Sequence, residues 1–300
     1  VYAVDLSTEQ SRDFYTVPEG ALVDFKVAPA GEALAVNYLI KKLDVAPSES
    51  NFYQETIPDD PSALGSPRRG SYVYYNRILR LIAVDGSEIA ALDHVWDYSW
   101  SPDGSNIAYT TFEYQGHYAE PKLTGTFIYD LAAKTTSKVF EAGKFVSWAS
   151  FDGNLYIWDF PPPSGLGEVV RYNVAARSVE PTEHHSIYFS PTGRYYYRPE
   201  SVNGNGEVYM RQTDQSVSRS SSALGFPPRV DPVAWAPTAD LLLLFNSRGD
   251  PATQKVRVYD PDRDKAVEVS PDTVAWGAGA SEVLVAPGKN IALRKVPAIP

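Results

Sequence analysis

Short apolar runs rich in Val, Tyr and Trp recur along the whole chain, and polar residues with Pro or Gly separate them. Such runs predict β-strands, because β-branched and aromatic side chains suit a pleated surface and Pro and Gly punctuate short elements. Tyr2–Leu6 and Asp13–Val17 read as two short strands. Val23–Val27 follows, turns through Pro29-Ala30-Gly31, and returns as Ala33–Leu39. Later strands come in pairs with polar hairpins: Arg77–Val84 with Ile89–Leu92, Thr126–Leu131 with Thr136–Phe140, and Val169–Val174 with Arg177–Pro181. The same grammar gives Glu207–Gln212 with Ser216–Ser220, and Val256–Tyr259 with Ala266–Val269. The chain ends on Thr273–Trp276, Glu282–Val285 and Ile291–Val296, with no fourth strand.

A motif sits at the head of each group. Its fullest form is Trp100-Ser101-Pro102-Asp103-Gly104, followed by Ile107-Ala108-Tyr109. Val27-Ala28-Pro29-Ala30-Gly31, Phe189-Ser190-Pro191-Thr192-Gly193 and Trp235-Ala236-Pro237 are close relatives. Trp148-Ala149-Ser150-Phe151-Asp152-Gly153 and Trp276-Gly277-Ala278-Gly279 are more worn. Aligned on Val27, Trp100, Trp148, Phe189, Trp235 and Trp276, the steps are 73, 48, 41, 46 and 41 residues. In an all-β sequence a period of forty-odd residues means propeller blades. Six motifs predict a six-bladed β-propeller of four-stranded antiparallel blades, residues 1–300 forming one domain. The missing last strand is expected from the N-terminal stretch, which would close the ring and remove an exposed edge. The long first step leaves room for a seventh blade. Residues 41–70, with Pro47, Pro58, Pro61 and Pro67 among Ser, Asp and Glu, read instead as a loop insertion.

Composition removes several function classes. A net charge of −10 argues against a nucleic-acid surface. The absence of Cys excludes disulfides, thiolate metal sites and cysteine catalysis. No apolar run is long enough to span a membrane as a helix. No Gly-x-Ser-x-Gly elbow occurs. The four histidines, His94, His117, His184 and His185, read as surface or blade-edge residues, and no metal or cofactor is expected. Asp260–Asp264 lacks the glycine and glutamate of a calcium loop and reads as a hairpin turn. Arg248-Gly249-Asp250 reads as polar turn composition.

The stretch Trp100–Gly104, with Ile107-Ala108-Tyr109 and Phe127-Ile128-Tyr129-Asp130, resembles the repeat of TolB-type propellers. More distantly it resembles WD repeats and the propeller of prolyl-oligopeptidase-like enzymes. The resemblance is confined to the propeller part. It implies a propeller, often exported in bacteria and used mostly as a binding platform, hence a periplasmic or extracellular location.

Two groups of residues are candidates for function. The connections between second and third strands are the elaborated ones, and in a propeller they share a face. Loops on a rigid scaffold carry function. Tyr53, Arg68, Arg69, Tyr114, His117, Tyr118 and Phe160 lie on them and are the expected contacts for a protein partner. The second group stands just before inner strands: Asp24, Asp97, Asp231 and Asp272, with His185 and Lys144 in similar places. These should ring the channel mouth on that face, where clustered carboxylates attract a cation or basic peptide. Taken singly, each Asp is explained as a local turn cap. Two functions stand: a non-catalytic scaffold binding a protein or small ligand through the loop-rich face, or a propeller lyase or glycan hydrolase acting at the channel.

Overall fold

Some strands, such as Leu155–Asp159 and Leu242–Phe245, are apolar on both faces, so their sheets must be covered on two sides. The computed structural model describes residues 2–5, 10–13, 15–16, 21–29, 31–42, 74–113, 122–143, 145–159, 168–182, 186–198, 207–210, 215–216, 231–245, 256–270, 273–276, 281–285 and 292–299. β1 (Tyr2–Asp5) pairs with β2 (Gln10–Asp13). Sheet one is β3 (Ala21–Val27), β4 (Ala33–Lys42), β5 (Tyr74–Ala83) and β6 (Glu88–Asp93). Sheet two is β7 (Val95–Trp100), β8 (Asn106–Glu113), β9 (Lys122–Asp130) and β10 (Thr135–Phe140). Sheet three is β11 (Phe145–Trp148), β12 (Leu155–Asp159), β13 (Glu168–Asn173) and β14 (Ser178–Pro181). Sheet four is β15 (Tyr188–Phe189), β16 (Tyr195–Arg198), β17 (Glu207–Met210) and β18 (Gln215–Ser216). Sheet five is β19 (Asp231–Trp235), β20 (Leu242–Phe245), β21 (Val256–Asp260) and β22 (Lys265–Val269). Sheet six has three strands, β23 (Thr273–Trp276), β24 (Glu282–Val285) and β25 (Ala292–Lys295). Pairing is antiparallel throughout, between strands consecutive in the chain.

The core lies between successive sheets. Ala33, Ala35, Leu79 and Leu81 of sheet one meet Tyr98, Trp100, Ile107 and Tyr109 of sheet two. Ala108, one step along β8, points the other way and joins Val146, Leu155 and Ile157 of sheet three. Tyr156 then meets Ile187 and Phe189, Tyr195 and Tyr197 meet Leu242 and Leu244, and Leu243 meets Val283. Period-two alternation therefore sends each strand's odd and even residues to opposite neighbours.

Polar groups also tie several of the joints, in part by the same bond and in part by different ones. Trp100 Nε1 donates to the Lys26 carbonyl at 3.0 Å, and Trp235 Nε1 donates to the Tyr188 carbonyl at 3.0 Å. Lys26 precedes Val27 and Tyr188 precedes Phe189, so the two indoles do the same thing in equivalent repeats. Trp148 does not. Its motif carries one extra residue before the glycine, and Gly153 N donates to Ala149 O, four residues back. Gly31, Gly104 and Gly193 each donate three residues back. The wider turn brings the Gly153 carbonyl within 2.9 Å of Trp148 Nε1, which therefore bonds its own turn. The joint between sheets two and three is tied instead by β7. Asp97 Oδ2 accepts from Val146 N at 2.8 Å and Ser99 Oγ from Trp148 N at 3.0 Å.

Sheets four and five are knotted at their tight turns. Asp240, 6% exposed in its side chain, accepts from Thr192 Oγ1 and from Arg194 Nε at 3.0 Å. Arg194 Nη2 also reaches both oxygens of Asp262, to which the Tyr195 hydroxyl donates at 2.6 Å. The Tyr195 hydrogen bond, helped by the Arg194 guanidinium, holds the Asp262 carboxyl below its usual range against desolvation. Burial and Asp262 push the Tyr195 hydroxyl up to about 12. A carboxyl depressed in the fold stabilises above its unfolded pKa, and that contribution is lost as pH falls through the folded value. Asp262→Asn is therefore expected to flatten the fall of the thermal midpoint below about pH 4. An unaltered pH profile in the variant would show that the knot does not contribute.

The N-terminal strands differ in their bounds from the expectation. The second strand is Gln10–Asp13, not 13–17, and β1 pairs with β2. Among the described residues neither meets β25, and no closed sheet forms. A hairpin closes a loop of only a few residues, which favours the local pairing of β1 with β2. The outward face of sheet one is buried at Leu34, Val36, Tyr38 and Ile82, where Tyr15 packs. Nearer the first strand the same face is open, with Phe25 50% and Val27 58% exposed. Residues 43–73, the connection from β4 to β5 and the place for any seventh sheet, lie outside the described residues.

Candidate functional site

The long connections after β4 and β8 leave the same end of sheets one and two. Lys42 faces Tyr74 and Glu113 faces Lys122 as the last pairs before them. Just inside that end, the first strand of each sheet has an irregular step. It falls between Leu22 and Asp24 in β3, and between Val95 and Asp97 in β7. A bulge re-aims the side chains beside it. Asp24 and Asp97 occupy one repeat position, three before Val27 and Trp100. Both lie within their strands, not ahead of them as expected.

The two carboxylates make different contacts, Asp24 toward sheet two and Asp97 toward sheet three. Asp24 Oδ1 accepts from the Tyr98 hydroxyl at 3.0 Å. The Lys26 ammonium donates to the Tyr98 carbonyl at 2.6 Å, lies 4.4 Å from the centre of the Tyr98 ring, and stands 4.0 Å from Asp97 Oδ1. Asp97 keeps 22% of its side chain exposed and Lys26 45%. Desolvation raises the Asp97 carboxyl; Lys26 and the Val146 amide oppose it, and the Asp24 charge adds to the rise. Burial, then Asp24, pushes the Tyr98 hydroxyl far up, so it remains a donor. Tyr188 of sheet four is raised by burial and then by the charge of Asp97. Asp97 is thus electrostatically coupled to three sheets besides its own.

Asn37 faces Asp24 directly across β3 and β4. Directly opposed residues put their side chains on one face of a sheet, here the face against Tyr98. Asn37 is 2% exposed, and its Oδ1 has no hydrogen-bond partner among the described residues. At the same end, the Arg77 guanidinium lies 4.5 Å over the Trp96 ring, and Trp96 meets Phe112 edge-on at 5.5 Å.

Of the expected site residues that are described, Asp24 and Asp97 are near enough to influence one another electrostatically. Neither is a cap of its own turn. Each ties its strand to a neighbouring sheet. Asp231 opens β19. It stands four before Trp235, but the irregular step between Asp231 and Ala234 absorbs the extra residue, so Asp231 faces Phe245 as Asp97 faces Thr110 and Asp24 faces Asn37. Tyr53, Arg68, Arg69, Tyr114, His117, Tyr118, Phe160, Lys144, His185 and Asp272 lie outside the described residues. Lys26, Asn37 and Tyr98 were missed. The signal for Tyr98 is the alternation of β7, in which Tyr98 and Trp100 face one sheet and Asp97 and Ser99 the other. Asp260–Asp264 is the β21–β22 hairpin turn, with Asp260 Oδ1 accepting from the amide of Asp262 at 2.9 Å. Among the described residues no group of three or more His, Asp and Glu is placed to share a metal ion, and no helix is long and apolar enough to cross a membrane.

No family model matches the chain, and no curated protein matches it. Solved structures do. Acylaminoacyl peptidase from Pyrococcus horikoshii aligns with 93% of this chain at 13% identity and a TM-score of 0.51, and the chain spans 46% of its length. Hydrazine synthase from Kuenenia stuttgartiensis aligns with 91% of this chain and 75% of its own, at 8% identity and a TM-score of 0.51. The β-propeller domain of the Trilobed protease from Pyrococcus furiosus, described as an open velcro topology, aligns with 95% of this chain and 84% of its own at 13% identity and a TM-score of 0.49. At these identities the likeness concerns the fold alone. The chain is all-β, built of consecutive four-stranded antiparallel sheets, and its structural neighbours include propellers.

Proposed function

We propose that the chain is a non-catalytic propeller scaffold that binds a partner through the end carrying the β4–β5 and β8–β9 connections. The six sheets are read as six blades around one axis. The N-terminal segment, anchored by Tyr15, stands at the joint between the last blade and the first. The observation that carries the reading is the asymmetry between the two ends of sheets one and two. At one end the turns are tight and their groups are satisfied: Ser87 N and Oγ donate to Asp85, and Ser101 and Ser105 donate to Asp103. At the other, long connections leave the sheets above Asp24, Asp97 and an acceptor with no described partner. A rigid base with one elaborated end is the form of a binding platform.

The test shortens residues 48–69 to a brief Gly-Ser linker and compares capture of a cell-extract partner with that by the intact chain. Replacement of the 85–87 turn serves as the control at the opposite end. Both variants are expected to fold, and only the first to lose the partner that the intact chain retains. Equal capture by a folded, shortened chain would move the binding surface elsewhere.

A further inference from the structure

We infer that the outward face of sheet one is a binding site for a small aromatic carboxylic acid, and that the Tyr15 ring covers the polar side of this site until the ligand replaces it. The site lies away from the loop-bearing end, and the inference goes beyond the scaffold reading without resting on it.

Strand register lays the face out. Phe25 faces Val36 across β3 and β4, and Val36 faces Arg80 across β4 and β5. In the next row of the same face, Val27 faces Leu34 and Leu34 faces Ile82. The β3 side of this face is open at Phe25 and Val27, while the β4–β5 side is buried, with Tyr15 packed on it. An apolar floor that is half open and half covered by one ring suits a small apolar ligand, provided a few polar groups fix its orientation.

The covered side holds those groups. Tyr38 is 0% exposed, and its hydroxyl has no hydrogen-bond partner among the described residues; the buried Nε of Arg80 has none either. The Arg80 guanidinium lies beside Tyr38, 5.7 Å from the centre of its ring, but a guanidinium only donates and cannot take the hydroxyl proton. Burial raises the Tyr38 hydroxyl against the opposing Arg80 charge, so it stays a donor. Arg80 Nη1 is held by Glu88 at 2.6 Å, which fixes the guanidinium and leaves Nε for another acceptor. Two buried donors on one face, one of them charged, call for a carboxylate. A ring already rests on the apolar floor beside them, so an aryl acid can take the place of Tyr15 and serve both donors.

The probe is 3-phenylpropanoate, titrated into the intact chain by isothermal calorimetry, with 3-phenylpropan-1-amine as the control. Saturable binding is expected for the acid and none for the amine. Tyr38→Phe is expected to weaken binding about tenfold, as befits the loss of a charged hydrogen bond. Its thermal midpoint is expected to stay level or rise, because the hydroxyl removed has no partner in the fold. Tyr15→Ser is expected to tighten binding severalfold, since the covered fraction falls, and misfolding cannot mimic a gain. Phe25→Ser is expected to weaken binding severalfold, and Val179→Ser, at an exposed apolar residue of sheet three, to leave it unchanged. Wild-type affinity in Tyr38→Phe, or a fall in its midpoint, overturns the donor assignment. A loss in Val179→Ser equal to that in Phe25→Ser, or an amine that binds as well as the acid, overturns the site in favour of nonspecific adsorption. Unchanged or weaker binding by a folded Tyr15→Ser overturns the role of Tyr15, and no saturable binding by either wild type or Tyr15→Ser overturns the whole inference.

Discussion

Trp100→Ala is expected to destabilise the protein by about 3–5 kcal/mol, the range for removal of a buried large aromatic. Trp100 is 7% exposed, packs among Ala33, Ala35, Ile107 and Tyr109, and donates its indole N–H to the Lys26 carbonyl. The substitution therefore opens a cavity between two sheets and removes a tie across it. Trp100→Phe refills most of the cavity and isolates the tie, at about 1 kcal/mol. Trp148→Ala is the comparison. Trp148 is only partly buried and bonds its own turn, so its removal is expected to cost clearly less than that of Trp100. Urea unfolding of the three variants checks the order. Equal losses at Trp100 and Trp148 would mean that the joint does not depend on the indole.

The second large effect is expected at Gly193. Its φ is +69°, and a Cβ built there falls 2.3 Å from Phe151 Cγ and 2.6 Å from both Cδ atoms. Phe151 is the residue that the longer third turn adds, and its ring lies against the glycine of the next repeat. Gly193→Ala suffers the left-handed backbone penalty, about 1–2 kcal/mol, and an overpacking term of about 1–3 kcal/mol. Gly31 and Gly153 have φ of +79° and +69° and nothing within 4 Å of a Cβ. Alanine there is expected to incur the backbone term alone. Urea midpoints for the three alanine variants separate the two terms, and similar losses at all three would deny the Phe151 contact its role.

These contrasts bear on what the chain disclosed before its structure was seen. The strand grammar was legible because each strand carries its own periodicity. Thr273–Trp276 and Glu282–Val285 have the bounds expected of them. The motif located Trp100 and Trp235 in equivalent places, and their indole bonds match. What lay beyond reach was pairwise. Nothing in residues 2–13 tells whether β1 meets β2 or a distant strand, since both satisfy its backbone. A lone Asp reads as a turn cap until the partner strand is known. Asp97 finds Val146, and Asp24 finds Tyr98, because a bulge and a neighbouring sheet put them together. Counting from the tryptophans sets Asp231 one residue off Asp97, and only the irregular step in β19 restores the equivalent pairing.

The unlike joints between sheets have a consequence for assembly. Repeats of similar sequence risk pairing with the wrong copy, and chains of them are prone to exchange and misordering. Here the indole tie recurs at two joints, but the other contacts differ from joint to joint. An indole meets a carbonyl at Lys26, a carboxylate and a hydroxyl meet amides at Val146 and Trp148, a phenyl ring meets a glycine at Gly193, and a guanidinium bridges Asp240 and Asp262. A sheet placed beside the wrong neighbour would bury Asp97 without an amide or drive Phe151 against a side chain. Divergence among the repeats thereby acts as an address label, making chain order the arrangement in which these joints are matched.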